Sequence, residues 1–374
     1  MVKYLSNYNG EYRIFKISRS HKTTLDILSD GYDVCEISED EIVFMPDNTI
    51  FELSCEDKQR MAVFSEYDVV DINSRGVMYR WYSVIEGDAG IATTPICNSN
   101  CIMCPASENE RKQKSGISTE ILKKVIHYMP KDLWYFTITG GEPTLIGEEH
   151  FLDILNYVKN ELPFTKIQLL TNGRTLGDKS FFNKFLEVQP KNMKLAIPIH
   201  GSTPDKHDYI TQAPNSFSQT IRAISSLLYA KVETEIRIVV SKLNCDDIYN
   251  IAKLIVKMFP DVSVVNFVGL EMRGNCVANA DEVLISYEDA FEYSKKAIKL
   301  LIKNGIDVGL YNFPYCMIER KFWPIAKKSI SAYKSMFYSD CDKCDLRNEC
   351  CGIFKATMDF YKPKVYPIQC GENK

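Results

Sequence analysis

No apolar run in the 374-residue chain approaches the length needed to cross a bilayer, and no charged-then-apolar leader opens it. It carries no low-complexity tract and no internal repeat. Excess positive charge is missing too: the net charge is −4, the pI is near 5.9, and no basic block interrupts the sequence. That balance argues against a general nucleic-acid binder. Neither a membrane nor a nucleic acid is therefore expected as a partner. Hydrophobic residues at 45% and charged residues at 25% are ordinary for a globular chain. The length suits one large domain of roughly 220 residues with smaller flanking modules. What stands out is cysteine. Thirteen of them, without secretory features, point to a reducing cytoplasm and, if they hold clusters, to anaerobic chemistry.

Cys97, Cys101 and Cys104 form a C-x3-C-x2-C run between Pro95 and Pro105. Three thiolates so close on one loop can converge on one cubane-sized cluster, leaving its fourth iron without a protein ligand. A 4Fe–4S cluster saturated by cysteine passes electrons; one with a vacant corner can also bind a substrate or cofactor. Zinc is the competing reading, but structural zinc sites favour paired C-x2-C knuckles and four closed ligands. Disulfides suit such spacings poorly in a chain of this class.

A second signal follows at Thr139-Gly140-Gly141-Glu142-Pro143, after an apolar run at 133–138 that reads as a buried strand of a parallel sheet. Two glycines let backbone approach a ligand closely. Taken with the cysteines, this stretch resembles the radical S-adenosylmethionine (SAM) enzyme superfamily, whose members pair the same cysteine spacing with a Gly-Gly-Glu-Pro strand end.

The resemblance implies roles residue by residue. Cys97, Cys101 and Cys104 would hold three irons, and SAM would chelate the fourth through its amino and carboxylate groups. Met103 would stand near the adenine, where the family often has an aromatic residue. Gly140, Gly141 and Glu142 would receive the SAM amino group, the glycines by carbonyls and the acid by charge. Reductive cleavage would then yield a 5′-deoxyadenosyl radical that abstracts hydrogen from an unactivated C–H bond. An electron donor such as flavodoxin or ferredoxin is implied as a partner.

The region from Ser118 to Leu310 alternates helical and strand-like segments. Strands are expected at 83–92, 133–139, 166–171, 193–199, 235–240, 262–268 and 306–310, and helices at 121–129, 151–162, 181–188, 217–228, 248–259 and 287–303. Regular alternation implies parallel strands with crossover helices. The fold class expected is α/β: a partial (β/α)6 barrel with a small β-rich N-terminal domain and a Cys-rich C-terminal one. In such barrels ligands gather at strand carboxyl ends. Asn172, His200, Arg237, Gly269 and Leu270 sit at or near those ends and are the further candidates for SAM contact. His207-Asp208-Tyr209 reads as structural, in a loop before a helix.

The tail carries Cys341, Cys344 and Cys350 in a C-x2-C-x5-C run, with Cys316 upstream. Four thiolates can satisfy one closed metal centre, and in isolation zinc would serve as well as iron–sulfur. The arrangement resembles the twitch or SPASM auxiliary-cluster domains of radical SAM enzymes that modify ribosomally made peptides, which implies a second 4Fe–4S cluster. Cys351 and Cys370 compete with Cys350 as ligands, and spacing from Cys344 favours Cys350. Cys35, Cys55, Cys245 and Cys276 read as ordinary buried thiols.

A narrower resemblance joins Asn98 to Cys104, Gly201 to Pro214, Asp307 to Cys316, Lys328 to Lys334 and Arg347 to Cys350. It is to the radical SAM maturases of His-Xaa-Ser repeat peptide systems. It implies a small ribosomal precursor peptide as substrate and a second radical SAM maturase as partner. The domains expected are 1–80, β-rich; 81–310, the barrel; and 311–374, the auxiliary-cluster module. The first would serve as a lid on the barrel's open side, or grip a leader peptide along a sheet edge. Three functions compete: a peptide-modifying radical SAM enzyme acting by crosslinking, epimerisation or related oxidation; one acting on a small molecule such as a sugar or cofactor precursor; and a non-catalytic metal-binding module.

Overall fold

The computed structural model describes residues 2–87, 89–112, 116–331 and 333–370. Asp88, inside the first expected barrel strand, and Ala332, inside the Lys328 to Lys334 run, lie outside them. No described helix is long and apolar enough to cross a membrane.

The N-terminal region is a seven-stranded sheet of β1 (Val2–Tyr4), β2 (Arg13–Ser18), β3 (Val34–Ile37), β4 (Glu41–Met45), β5 (Thr49–Glu52), β6 (Val69–Ile72) and β7 (Val77–Tyr82), in the order β1-β7-β6-β2-β3-β4-β5. It is less purely β than the sequence reading had it. Helix His21–Ser29 crosses from β2 to the parallel β3, and helix Cys55–Met61 follows β5. Both helices begin on serine caps: Ser20 accepts from Thr23 N (3.2 Å) and Ser54 from Asp57 N (3.2 Å). Phe15, Ile17, Ile37, Phe44, Ile72 and Met78 fill the core of this sheet.

The central sheet has eight strands: β8 (Gly90–Ala92), β9 (Tyr135–Thr139), β10 (Lys166–Leu170), β11 (Met193–Pro198), β12 (Glu233–Val239), β13 (Val264–Val268), β14 (Val308–Tyr311) and β15 (Ala326–Lys327). All neighbours are parallel and follow chain order. Helices Thr119–Tyr128, Glu148–Glu161, Lys179–Val188, Ser216–Tyr229, Ile248–Met258 and Tyr287–Lys303 make the six crossovers from β8 to β14, and short 3-10 segments connect β14 to β15. The α/β class and the partial barrel stand. The strand expected at 83–92 is only Gly90–Ala92, because residues 84–86 turn instead.

The strands alternate where an apolar run had suggested burial on both faces. Phe136, Ile138, Ile167, Leu169, Leu195, Ile197, Ile236 and Ile238 pack into the core. By the two-residue period of a strand, Thr137, Gln168, Lys194, Glu235 and Arg237 share the other face. A sheet curled into a partial barrel can line its bore with polar groups while helices cover the outside.

The N-terminal sheet meets this barrel at its first helix and first strand. Asp33 N donates to the Tyr128 hydroxyl (3.1 Å), the Tyr32 ring lies edge-on to Tyr128 at 5.1 Å, and Tyr82 bridges to Ala89. Tyr79, Trp81, Tyr135 and Tyr333 line a cavity of 360 Å³ at that edge. Beyond β15 regular structure is sparse. A two-stranded ladder of β16 (Ser335–Met336) and β17 (Ile353–Phe354) organises the Cys-rich tail.

Candidate functional site

The loop leaving β8 carries Cys97, Cys101 and Cys104 and is tied down on every side. Its entry is stitched to the end of β9: Thr93 N donates to Thr139 O (2.9 Å), Gly141 N to Thr94 O (2.7 Å) and Glu142 N to Ile96 O (2.7 Å). A Cβ on Gly140 would lie 2.5 Å from Thr94 O, and one on Gly141 2.2 Å from Pro95 O. What the paired glycines admit here is the backbone of the cysteine loop itself.

Glu142 also departs from the expected role. Its side chain is fully buried, and Oε1 accepts from Thr144 Oγ1 (2.9 Å) and Thr171 Oγ1 (2.8 Å), while Oε2 accepts from Asn172 N (2.7 Å). Burial pushes its carboxyl above the ordinary range, against these hydrogen bonds. The acid thus clamps the ends of β9 and β10 together instead of presenting a free charge at the surface of the site. Glu142→Gln would turn an amide donor toward the donors that now face an acceptor. We expect it to cost roughly 2–3 kcal/mol in urea unfolding, from donors left unsatisfied in the core.

Asn172, held by Glu142, turns its Nδ2 to Asn98 Oδ1 (2.7 Å) and Cys97 Sγ (3.9 Å). Arg174 binds Asn98 O and Ser99 Oγ (3.1 Å). On the far side of the loop Asn100 N donates to Thr211 O (2.9 Å) and Ile102 N to Ile210 O (3.0 Å). Asn275 closes the ring, sending Nδ2 to Cys101 O (3.0 Å) and its backbone N to Cys104 O (2.9 Å). Thr211 and Asn275 carried no signal in the sequence, since single polar residues at helix ends make no motif.

Burial raises the thiols of Cys97 and Cys101, the latter to about 12, and neighbouring thiols of the loop push each the same way. Cys97 and Cys101 thus both lie within electrostatic reach of Cys104. Met103 and Leu270 join one apolar cluster with Ile102, Ile210 and Met272, so two expected adenine contacts do come together. Gly269 N donates to Tyr311 O (2.9 Å), and a Cβ there would meet Asn312 O at 2.7 Å.

Arg237 does not stand free at a strand end. In the bore its Nε binds Glu235 Oε1 (2.6 Å), and Lys194 Nζ holds the other oxygen (2.8 Å). His207 belongs to helix Pro204–Thr211 and not to a loop: Thr203 caps that helix and Pro204 opens it. His200 N donates to His207 Nδ1 (3.3 Å), and the rings lie 5.5 Å apart. Nδ1 of His200 is buried with no partner among the described residues.

Desolvation, aided by the facing His207, lowers His200 to about 3. Desolvation lowers His207 to about 4, with Asp208 opposing and Arg174 adding. Both rings are neutral in the folded chain, whereas the unfolded chain binds protons near pH 6.5. Stability is complete above that pH and should fall as pH drops toward 4, by up to roughly 1.4 kcal/mol per unit for each ring. Urea melts at pH 7 and pH 5 check this, and His207→Asn should give the shallower dependence.

In the tail, Cys316, Cys341, Cys344 and Cys350 line one small apolar cavity with Tyr315, Phe337 and Ile368. Cys350 is held down to about 6, first by a hydrogen bond from the Cys351 thiol. Cys351 itself packs into a separate cluster with Ile330 and Phe354. Cys370 is exposed. Among the expected buried thiols, Cys35 and Cys276 are buried, Cys245 is half-buried and Cys55 is exposed. Among the described residues no three His, Cys, Asp or Glu side chains are gathered on a point that one metal ion would fill.

Residues 91–255 match the family model of the radical SAM superfamily. A cysteine-type anaerobic sulfatase-maturating enzyme of Clostridium novyi (strain NT) is 29% identical over 175 residues, covering 42% of this chain and 45% of that protein. A probable GTP 3′,8-cyclase of Saccharolobus islandicus is 25% identical over 169 residues, covering 45% and 52%. The chain thus spans about half the length of these curated relatives. Among solved structures, Streptococcus suis SuiB bound to S-adenosylmethionine superposes with a TM-score of 0.50 at 13% identity, over 71% of this chain and 57% of that one. That is a likeness of fold. The matched stretch begins inside β8 and ends in the fifth crossover helix, taking in the cysteine loop and the glycine turn alike: the chain carries a radical SAM domain.

Proposed function

We propose that this radical SAM enzyme modifies a ribosomally made peptide after its synthesis. The observation that carries the reading is the loop of Cys97, Cys101 and Cys104, pinned beside the glycine turn where a parallel barrel's strands end. The donor set fits a 4Fe–4S cluster. Three soft thiols lie on one loop, Cys97 and Cys101 both within electrostatic reach of Cys104, and the backbone around them is already fixed. When bound, the cluster supplies the electron that cleaves SAM to a 5′-deoxyadenosyl radical for hydrogen abstraction.

The chain's own residues do the rest. Asn275 and Thr211 hold the loop's backbone, so the three thiolates need little rearrangement to ligate. Asn172, fixed by Glu142, offers a donor to Cys97 Sγ. Met103 and Leu270 give an apolar wall suited to adenine. The bore offers Glu235, Arg237 and Lys194 as fixed charges for orienting polar groups.

The cavity of Cys316, Cys341, Cys344 and Cys350 supports a second 4Fe–4S cluster, which would take up the electron released on product formation or position the peptide. We assign residues 311–374 to that module, 81–310 to the barrel and 1–80 to the N-terminal sheet. A flavodoxin or ferredoxin as donor, a second maturase as partner and a precursor of His-Xaa-Ser repeats as substrate belong to the same reading. Neighbouring genes encoding such a precursor would support it. The sulfatase-maturating relative favours a peptide; the GTP cyclase relative favours a small molecule. The test is anaerobic incubation of reduced protein with SAM and a deuterated candidate peptide. Deuterium in 5′-deoxyadenosine supports the peptide reading, and SAM cleavage indifferent to every peptide counts against it.

A further inference from the structure

Arg111 ends the short helix Glu108–Arg111, which follows the cysteine loop, and its side chain is buried at 7% exposure. Among the described residues its guanidinium hydrogen-bonds neutral acceptors alone: Nη1 donates to Ala106 O (2.6 Å) and Nη2 to Asn100 Oδ1. No carboxylate among the described residues makes a direct ion pair with it, and Glu108 and Glu110 of the same helix feel its charge only at longer range. A buried, unpaired cation is costly, and such charges persist where something anionic answers them. Asn100 directly precedes Cys101, and its side-chain oxygen is shared with Asn275, which also holds the Cys101 and Cys104 carbonyls.

We propose that Arg111 is a positioning residue for charge: its guanidinium offsets the negative charge of the three thiolates and sets the reduction potential of the cluster they hold. The proposal rests on the reading of Cys97, Cys101 and Cys104 as cluster ligands. Reduction adds one electron and so one negative charge to the assembly, and a fixed cation nearby favours the reduced form. Arginine suits the place because it keeps its charge when buried, whereas lysine sheds a proton more readily. A buried unit charge acting through an effective dielectric near ~20 shifts such an equilibrium by roughly tenfold, which is about 59 mV for one electron.

The test uses the full chain, reconstituted anaerobically, without SAM, with redox-poised EPR as the readout. A Cys341→Ala background leaves the signal of the three-cysteine cluster alone. Wild type that binds no iron and sulfide removes the cluster reading before Arg111 is in question. With the cluster present, Arg111→Gln keeps hydrogen-bonding capacity but loses the charge. Its reduced-to-oxidised ratio at fixed potential should fall roughly tenfold, while Arg111→Lys stays within about threefold. If Arg111→Gln loses iron, Ala106→Glu decides instead, because it leaves Arg111 in place and offers it a countercharge. That variant too should be harder to reduce. An unchanged potential in the charge-removing or charge-countering variant overturns the proposal. So does a shift that appears only when SAM is added, which would assign the guanidinium to the SAM carboxylate.

Discussion

Replacing Cys101 by alanine is expected to reduce SAM cleavage more than about a hundredfold while leaving the chain folded. The side chain is small and half-buried, so truncation leaves little cavity. The loop's backbone bonds to Thr211, Ile210 and Asn275 do not involve the Cys101 sulfur. On the proposed assignment one of three ligating thiolates is lost, and a cubane held by two would lose both geometry and control of its potential. The measurement is 5′-deoxyadenosine formed from SAM under reducing, oxygen-free conditions, with circular dichroism confirming the fold. Turnover near the wild-type rate would refute the ligand assignment.

The adjacent cysteines of the tail give the second large expectation. Cys350 faces the cavity shared with Cys316, Cys341 and Cys344, and Cys351 points into a separate apolar cluster. Cys350→Ala should lower bound iron by about four atoms, the content of one cluster, and impair product formation more than SAM cleavage. Cys351→Ala should retain its iron and lose packing and the thiol's hydrogen bond to Cys350, roughly 1–2 kcal/mol of stability. Iron and sulfide analysis of the two reconstituted variants checks the pair. Equal iron in both, or loss in Cys351→Ala alone, would reverse the assignment.

The cysteines stood out as candidate ligands because ligand chemistry depends on residue type and spacing, both visible in a sequence. The six crossover helices were legible for a similar reason. Helix Tyr287–Lys303 was expected over the same seventeen residues because its apolar period holds from end to end. Helix Pro204–Thr211 was missed although its threonine cap and opening proline are standard start signals, because its apolar face is short. The bore was illegible for another reason. Glu235 looks like a solvated residue, and Arg237 like a lone candidate contact, until the sheet curls and turns them toward Gln168 and Lys194. Glu142 and the paired glycines stood out in the sequence as candidate ligand contacts. Their contacts are with other parts of the chain, and a motif does not say whether its partner is a ligand or the protein itself. The buried cation at Arg111 left no trace in the sequence, since nothing local distinguishes it from a surface arginine.

The close fit between Gly140-Gly141 and the Thr94–Ile96 backbone bears on how this protein can be rebuilt. Two segments some forty residues apart have been shaped to one another within tenths of an ångström, so neither is a free-standing cassette. A chimaera that imports the cysteine loop from another scaffold while keeping this strand end inherits a mismatch at the joint. Swapping the two together, with Asn172 to seal the seam, is the smallest exchange that preserves the fit.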